Sequence, residues 1–372
     1  LASQAESIQD LVNYSGGDID ITDSAANLIS AGDDVLNVTG VDTVTVSDIS
    51  GSAAVTAQDG AILAGFTADV DFDVVDDVSD LKAIMGQNDA ASYLTEANSI
   101  TVDNGSGDRV VGAQDGAILA SFTADVDFDV VATADEIAAE LTGSIAPGTG
   151  VNSLDEAADV VVSGGDVDAE DAAAIMQISG YNTGGSQFEI TDDVASVISA
   201  GTGVIENGGV SKVEVTGVAD VSEGVALNTY TSNVEFDVSG TADDIFAEVN
   251  NLGDADDVFV VSGDVSISEA QSIQSLGGYN ASGSTYEIED SAANITASTD
   301  TLMQNGTIKV DVTDTDVNAS IGNTLAAFTA DIEFDVSDTA ANIAAQIDAG
   351  NGINGTGYGA DSLEDAGSVV VE

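Results

Sequence analysis

The chain has 372 residues, 43% of them hydrophobic, and a formal charge of −63 from 67 acidic residues against four basic ones, Lys82, Arg109, Lys212 and Lys309. That is enough apolar material for a buried core, but the charge excludes nucleic acid and anionic membrane as partners, since both are bound by clustered Lys and Arg. Cys, His and Trp are absent, which removes disulfides, thiolate or imidazole metal sites and the familiar Ser-His-Asp and Cys-His nucleophiles.

So much like charge in a compact chain must be screened, either by high ionic strength or by hard divalent cations such as calcium, which prefer carboxylate oxygens. A saline, extracellular setting fits. No window supplies about 18 consecutive apolar residues, so membrane insertion is not expected. Residue 1 is Leu, with no charged and then apolar leader before it, and a processed or excerpted chain is expected.

In chain order, residues 1–17 place Ala5, Ile8, Leu11 and Tyr14 on one helical face, followed by the strand-like Asp18-Ile19-Asp20-Ile21. The phrase Ala-Gln-Asp-Gly-Ala-Ile-Leu-Ala then occurs at 57–64 and again at 113–120, each copy running on through Phe-Thr-Ala-Asp-Val-Asp-Phe-Asp-Val to Val74 and Val130. Looser copies follow at Gln187–Ile190, Val234–Val238, Thr285–Ile288 and Ile332–Val336.

The central acid of each copy serves as a ruler: Asp20, Asp73, Asp129, Glu189, Asp237, Glu287 and Asp335, spaced by 53, 56, 60, 48, 50 and 48 residues. Apolar residues flank every ruler acid with period two, for example Phe72 and Val74 or Tyr286 and Ile288, which predicts half-buried strands with the acids facing outward.

Three residues on, Asp23, Asp76, Asp192, Asp290 and Asp338 are expected to cap a first helix. Its inward face carries the pairs Ala25 and Leu28, Val78 and Leu81, Ala134 and Ile137, Val194 and Val197, Ala242 and Ile245, Ala292 and Ile295, and Ala340 and Ile343. A second β-branched run follows, clearest at Val213–Val215, Val258–Val261, Ile308–Val312 and Val369–Val371. A second helix then returns to the next ruler strand, as at Ala61–Phe66, Ala117–Phe122 and Ala270–Leu276.

These elements predict an α/β fold: a tandem β-α-β-α repeat solenoid with parallel stacked strands, about seven repeats, in which like strands stack on like strands. A single-sheet horseshoe and a β-α barrel are the alternative closures. Residues 1–372 read as one continuous array, with an incomplete repeat at 1–17, repeats starting near 18, 70, 126, 187, 234, 285 and 332, and the last truncated after its second strand. Joining residue 372 to residue 1 would place the next ruler acid 57 residues after Asp335, within the observed spacing. The expected partners are therefore copies of the chain stacked head to tail, or flanking repeats of a longer chain.

Stacked ruler acids would form a ladder about 4.8 Å apart, and the mutual repulsion makes Asp20, Asp73, Asp129, Glu189, Asp237, Glu287 and Asp335 candidate ligands for calcium or another divalent cation. A second row at Asp18, Asp71, Asp127, Glu235 and Glu333 thickens the same face. The alternative is that these acids are simply a solvated strand face. No EF-hand loop or calcium-binding nonapeptide is present. The eight Asn-x-Ser/Thr sequons at Asn13, Asn37, Asn104, Asn280, Asn294, Asn305, Asn318 and Asn354 are of the number chance supplies in so polar a chain. Paired carboxylates alone do not make a glycosidase without an aromatic sugar platform, and no enzymatic activity is expected.

The run Asp335-Val336-Ser337-Asp338-Thr339-Ala340-Ala341-Asn342-Ile343, echoed at Asp290–Ile295 and Asp23–Leu28, resembles repeats of very large, acidic secreted bacterial proteins of adhesin-like or surface-layer-like type, and of some marine phage fibre proteins. The resemblance implies a structural role at the cell surface, as a filament, surface layer or adhesin stalk. The alternative it implies is a virion fibre that binds a host receptor. It transfers no catalytic residue.

Overall fold

The computed structural model describes residues 2, 4, 19–37, 40–47, 53–85, 96–120, 125–144, 154–350, 363 and 366–372. The apolar face predicted within 1–17, the second-row Asp18, the end of the second helix at Phe122, and the sequons at Asn13 and Asn354 lie outside the described residues. The chain forms two compact units, one of residues 1–190 with 207–211, the other of residues 191–206 with 212–372. Both are mixed α/β with parallel strands, and among the described residues no sheet closes into a barrel.

In the first unit the ruler strand Ile19–Asp23 pairs with the second strand Val41–Val46, which pairs in turn with Val70–Asp71, the start of the next ruler strand. The remainder of that strand, Asp73–Asp76, pairs with Ser99–Val102, which passes on to Val126–Asp127. Asp129–Ala132 pairs with Asp159–Val162. The second unit repeats the scheme: Val234–Thr241 pairs with Asp257–Ser262, Tyr286–Asp290 with Thr307–Val312, Thr307–Val312 with Ile332–Glu333, and Asp335–Asp338 with Ser368–Val371.

Strands therefore stack in chain order, first on second and second on the next first. This corrects the expectation that like strands stack on like. A chain whose successive strands are each separated by one helix can lay every new strand beside the last with a short right-handed crossover, whereas like-on-like stacking would skip a strand at every step.

The period-two reading holds in every copy. Phe72, Val74, Phe128, Val130, Phe188, Ile190, Phe236, Val238, Tyr286, Ile288, Phe334 and Val336 are buried, as is Ile21, while the seven ruler acids are exposed or half-exposed. The second residue of each first-helix pair (Leu28, Leu81, Ile137, Val197, Ile245, Ile295 and Ile343) is buried on the same side. The partner three residues earlier is buried at Ala134, Ala242 and Ala292, half-buried at Ala25, Val78 and Val194, and exposed at Ala340. Helices thus cover one face of the strands and leave the acid face to solvent, the arrangement that alternating strands require and that a doubly covered parallel sheet does not.

The second helices begin earlier than the apolar pattern suggests, at Ala57–Ala64, Ala113–Ala120 and Ile267–Gln274, after N-caps such as Thr56 and Ser266. They lie very close to the ruler strands. A Cβ on Gly60, Gly116, Gly224 or Gly322 would stand 2.9, 2.7, 2.5 or 2.8 Å from a methyl carbon of Val74, Val130, Val238 or Val336. Glycine weakens a helix by about 1 kcal/mol relative to alanine, and here that cost is offset by closer burial of the strand. Short strands missed by the sequence reading precede these helices, at Ala54–Val55, Val110–Val111, Asp166–Val167 and Asp264–Val265, and each pairs with the following ruler strand.

Candidate functional site

The ruler acids share one solvent-facing surface in each unit, but they do not form a ladder of nearest neighbours. Because second strands intervene, successive ruler acids within a unit are two strands apart, roughly 10 Å in a parallel sheet. The predicted contact ladder is corrected accordingly, and the residue beside each acid comes from an unlike strand: Thr43 beside Asp20, Ser99 beside Asp73, Asp159 beside Asp129, Asp166 beside Glu189, Asp257 beside Asp237, Lys309 and Asp264 beside Glu287, and Ser368 beside Asp335.

Those neighbours decide what each acid does. Thr43, Ser99 and Ser368 donate their hydroxyls to Asp20, Asp73 and Asp335 at 2.8, 2.7 and 2.8 Å. Arg109 reaches Asp129 at 3.2 Å and Asp127 at 2.5 Å. Asp237 accepts the Asp257 backbone N–H at 3.1 Å, and the Asp257 and Asp159 carboxylates accept from the amides of Asn280 and Asn182 at 3.0 and 3.1 Å.

Three of the four basic side chains, Arg109, Lys212 and Lys309, are spent on this surface, and the fourth, Lys82, pairs between two helices. Where Glu214 faces Glu235 in register, Lys212 bridges them at 3.2 and 2.7 Å. Where Asp311 faces Glu333, Lys309 does the same at 2.9 and 2.8 Å. Both ammonium groups are held well above their ordinary pKa by those paired carboxylates. Lys82 pairs with Asp115. Around Asp256, burial and then the charges of Glu235, Asp237 and Asp257 push its carboxyl up. It lines a polar groove of about 750 Å³ together with Thr229, Thr231, Asn233, Glu235 and Asp254.

Among the described residues, Asp76, Asp77 and Asp80 gather three carboxylates, each offering an oxygen within 4.8 Å of the others. Repulsion from Asp77 and then Asp76 pushes the Asp80 carboxyl up. Such a group can attract a hard cation, yet two of its members already serve the backbone. Asp77 accepts from Asp80 N–H at 3.0 Å as a helix cap, and Asp76 accepts from Ala57 and Asp77 N–H at 2.8 and 3.0 Å.

No family model matches this chain, and no curated protein matches it.

What the sequence reading missed is a second use of acids, as staples between helix starts. The predicted cap at three residues beyond the ruler is one position early: the cap is the next residue, Ser24, Asp77, Thr133, Asp193, Thr241, Ser291 or Thr339. The preceding Asp does something else. Asp290 accepts Ser291 N–H at 2.7 Å and the Asn294 amide at 2.7 Å, and its other oxygen takes Ile267 N–H, the first of the preceding second helix, at 3.0 Å.

Asp338 repeats this with Thr339, Asn342 and Ala319, and Asp23 with Ser24, Asn27 and Ala2. The Asn342 and Asn27 amides, followed by the backbone donors, hold the Asp338 and Asp23 carboxyls below their ordinary value. The run Asp-Ser/Thr-Ala-Ala-Asn is therefore a staple, a cap, two small residues and the amide that locks the staple. The first N–H of the first helix is taken up likewise by the turn after the following second strand: Val78 by Asn104, Ala292 by Asp314 and Ala134 by the Gly164 carbonyl.

A further set of acids anchors the turn after the second helix. Asp33 accepts Thr67 and Ala68 N–H at 2.7 and 3.1 Å, Asp300 accepts Thr329 and Ala330 N–H at 3.0 Å each, and Glu206 accepts Thr231 N–H at 2.7 Å. The Thr67 and Thr329 hydroxyls, ahead of those N–H groups, hold the Asp33 and Asp300 carboxyls low. The sequon asparagines belong to the same framework. Asn37, Asn104, Asn280, Asn294 and Asn305 donate their amides to internal acceptors, and Asn318 caps Ala319–Leu325.

Proposed function

We propose that the chain is a non-enzymatic structural repeat protein of the cell surface or extracellular space, an α/β solenoid belonging to a filament, surface layer or adhesin stalk. The observation that carries this reading is the staple. In four of the seven copies an equivalent acid, Asp23, Asp76, Asp290 or Asp338, holds the start of a second helix to the first strand that follows it, so the chemistry of these repeats is spent on stacking them. A one-dimensional array needs this, because each repeat can bury its apolar face only against its neighbours. Calcium or another divalent cation at the acid face, or a saline medium, is the counterpart the charge requires. Immunogold electron microscopy of the source cells, with antibody raised against the folded chain, tests the reading. Gold along surface-attached structures is expected, and gold confined to the cell interior would overturn it.

A further inference from the structure

The second strand Ser99–Val102 is followed by the turn Asp103-Asn104-Gly105-Ser106-Gly107-Asp108. An asparagine before a glycine is open to one intramolecular reaction, attack of the glycine nitrogen on the side-chain amide carbon, because glycine has no Cβ to obstruct the closing ring. Among the described residues three asparagines precede glycine, Asn104, Asn207 and Asn305.

Asn104 has the reacting groups in place. It is exposed, and Gly105 stands at φ +118°, in the region left to glycine. Gly105 N–H donates to an Asp103 carboxylate oxygen at 2.8 Å, within the reach of a general base. Asn104 Oδ1 accepts Val78 N–H at 3.1 Å, so a backbone donor already faces the oxygen on which negative charge gathers when the amide carbon is attacked. The other two pairs lack the base. Asn207 is half-buried, with its Oδ1 taken by Gly209 N–H and the Tyr181 hydroxyl at 3.0 and 3.1 Å, and among the described residues no carboxylate accepts from Gly208 N–H. Gly306 N–H is given to the Gln304 carbonyl at 3.1 Å, and the Asn305 amide to Gln274 at 3.2 Å.

We propose that Asn104 is a self-modifying site, which the folded chain converts without an enzyme to aspartate and isoaspartate. The bond from Gly105 N to Asn104 Cγ forms and the Cγ–Nδ2 bond breaks. The Gly105 proton passes by way of Asp103 to the departing nitrogen, which leaves as ammonia, and water then opens the cyclic imide at either carbonyl. The aspartate product keeps the hold on the first helix, since Asp314 takes Ala292 N–H from the equivalent position. The isoaspartate product adds a methylene to the backbone and withdraws the acceptor from Val78. The reaction thus acts on the contact between the helix Val78–Met85 and the turn after the following strand.

Tryptic peptide mapping tests it, because cleavage after Lys82, Arg109, Lys212 and Lys309 puts the three asparagines in three different peptides. The 372-residue chain is incubated at neutral pH, folded and in urea, and the change from amide to carboxyl is followed by mass. In the folded chain Asn104 should convert about 10-fold or more faster than Asn207 and Asn305, and the three should converge in urea, where only the shared Asn-Gly sequence remains. Asp103→Ser, with an unchanged circular dichroism spectrum, should slow Asn104 by about 10-fold in the folded chain and leave its rate in urea alone. An Asn104 no faster than the other two in the folded chain, or an Asp103→Ser chain that converts as fast as wild type, overturns the site.

Discussion

Removing one staple separates two opposite expectations about an acid in a chain of charge −63. If acids only repel, Asp290→Ala should stabilise; if Asp290 holds two helix starts, it should destabilise. The carboxylate accepts the backbone N–H of the cap residue Ser291 and of the helix-initial Ile267, at 2.7 and 3.0 Å, and one side-chain amide at 2.7 Å. Losing a hydrogen bond to a charged group costs about 1.5–3 kcal/mol. Because Asp290 is half-exposed, water recovers part of this, and a net loss of about 2–3 kcal/mol is expected. Relief of repulsion offsets only about 0.4 kcal/mol per neighbouring charge some 10 Å away in water.

Glu289→Ala is the control, since Glu289 is exposed and faces Asp311 in register. Its removal should change stability by about 0.5 kcal/mol or less, in the stabilising direction. Urea unfolding followed by circular dichroism, with hydrogen exchange at Ile267, reads both. The pH dependence carries the same sign. Burial pushes the Asp290 carboxyl up, but the Asn294 amide and the Ile267 and Ser291 N–H groups outweigh it and hold the carboxyl below its ordinary value. The stability it contributes is present above the unfolded value of about 3.9 and is lost as the pH falls through the folded pKa. An Asp290→Ala chain as stable as wild type would refute the staple.

Gly224→Ala would place a Cβ 2.5 Å from a Val238 methyl and 3.2 Å from Leu252. Overpacking of about 1–3 kcal/mol should exceed the helix gain of about 1 kcal/mol, giving a net loss in urea unfolding. Lys212→Gln leaves Glu214 and Glu235 facing each other without their bridge; the melting temperature should fall at low ionic strength and recover in high salt, and a fall independent of salt would point to lost packing instead. Millimolar calcium should raise the melting temperature of the wild-type chain beyond sodium chloride of equal ionic strength, since site binding adds to screening; equal shifts would reduce the acid face to a solvated surface.

The sequence by itself determined the repeat, the outward acids and the inward Phe and Val, because a period of two allows one face of a strand to be buried and a single-residue slip would invert every side chain. It also placed the first helices, through small and aliphatic residues three apart such as Ala242 and Ile245. Only the tertiary structure decided which strand lies beside which, and hence that Asp237 neighbours Asp257 while Asp20 neighbours Thr43. Pairing between strands is set by the path of the intervening helix, which local pattern does not encode.

The same reason hid the staples. Asp290 and Ile267 are 23 residues apart, and the bond between them exists only once a second helix and the next first strand have met. Caps one residue to the right of the expected Asp were legible in principle, since Ser, Thr or Asp stands four residues after every ruler acid. The choice between two adjacent oxygen-bearing side chains is made by backbone geometry: the cap residue sits at extended φ and ψ, with its side chain over the third amide of the helix, and its neighbour is left to turn toward the helix before.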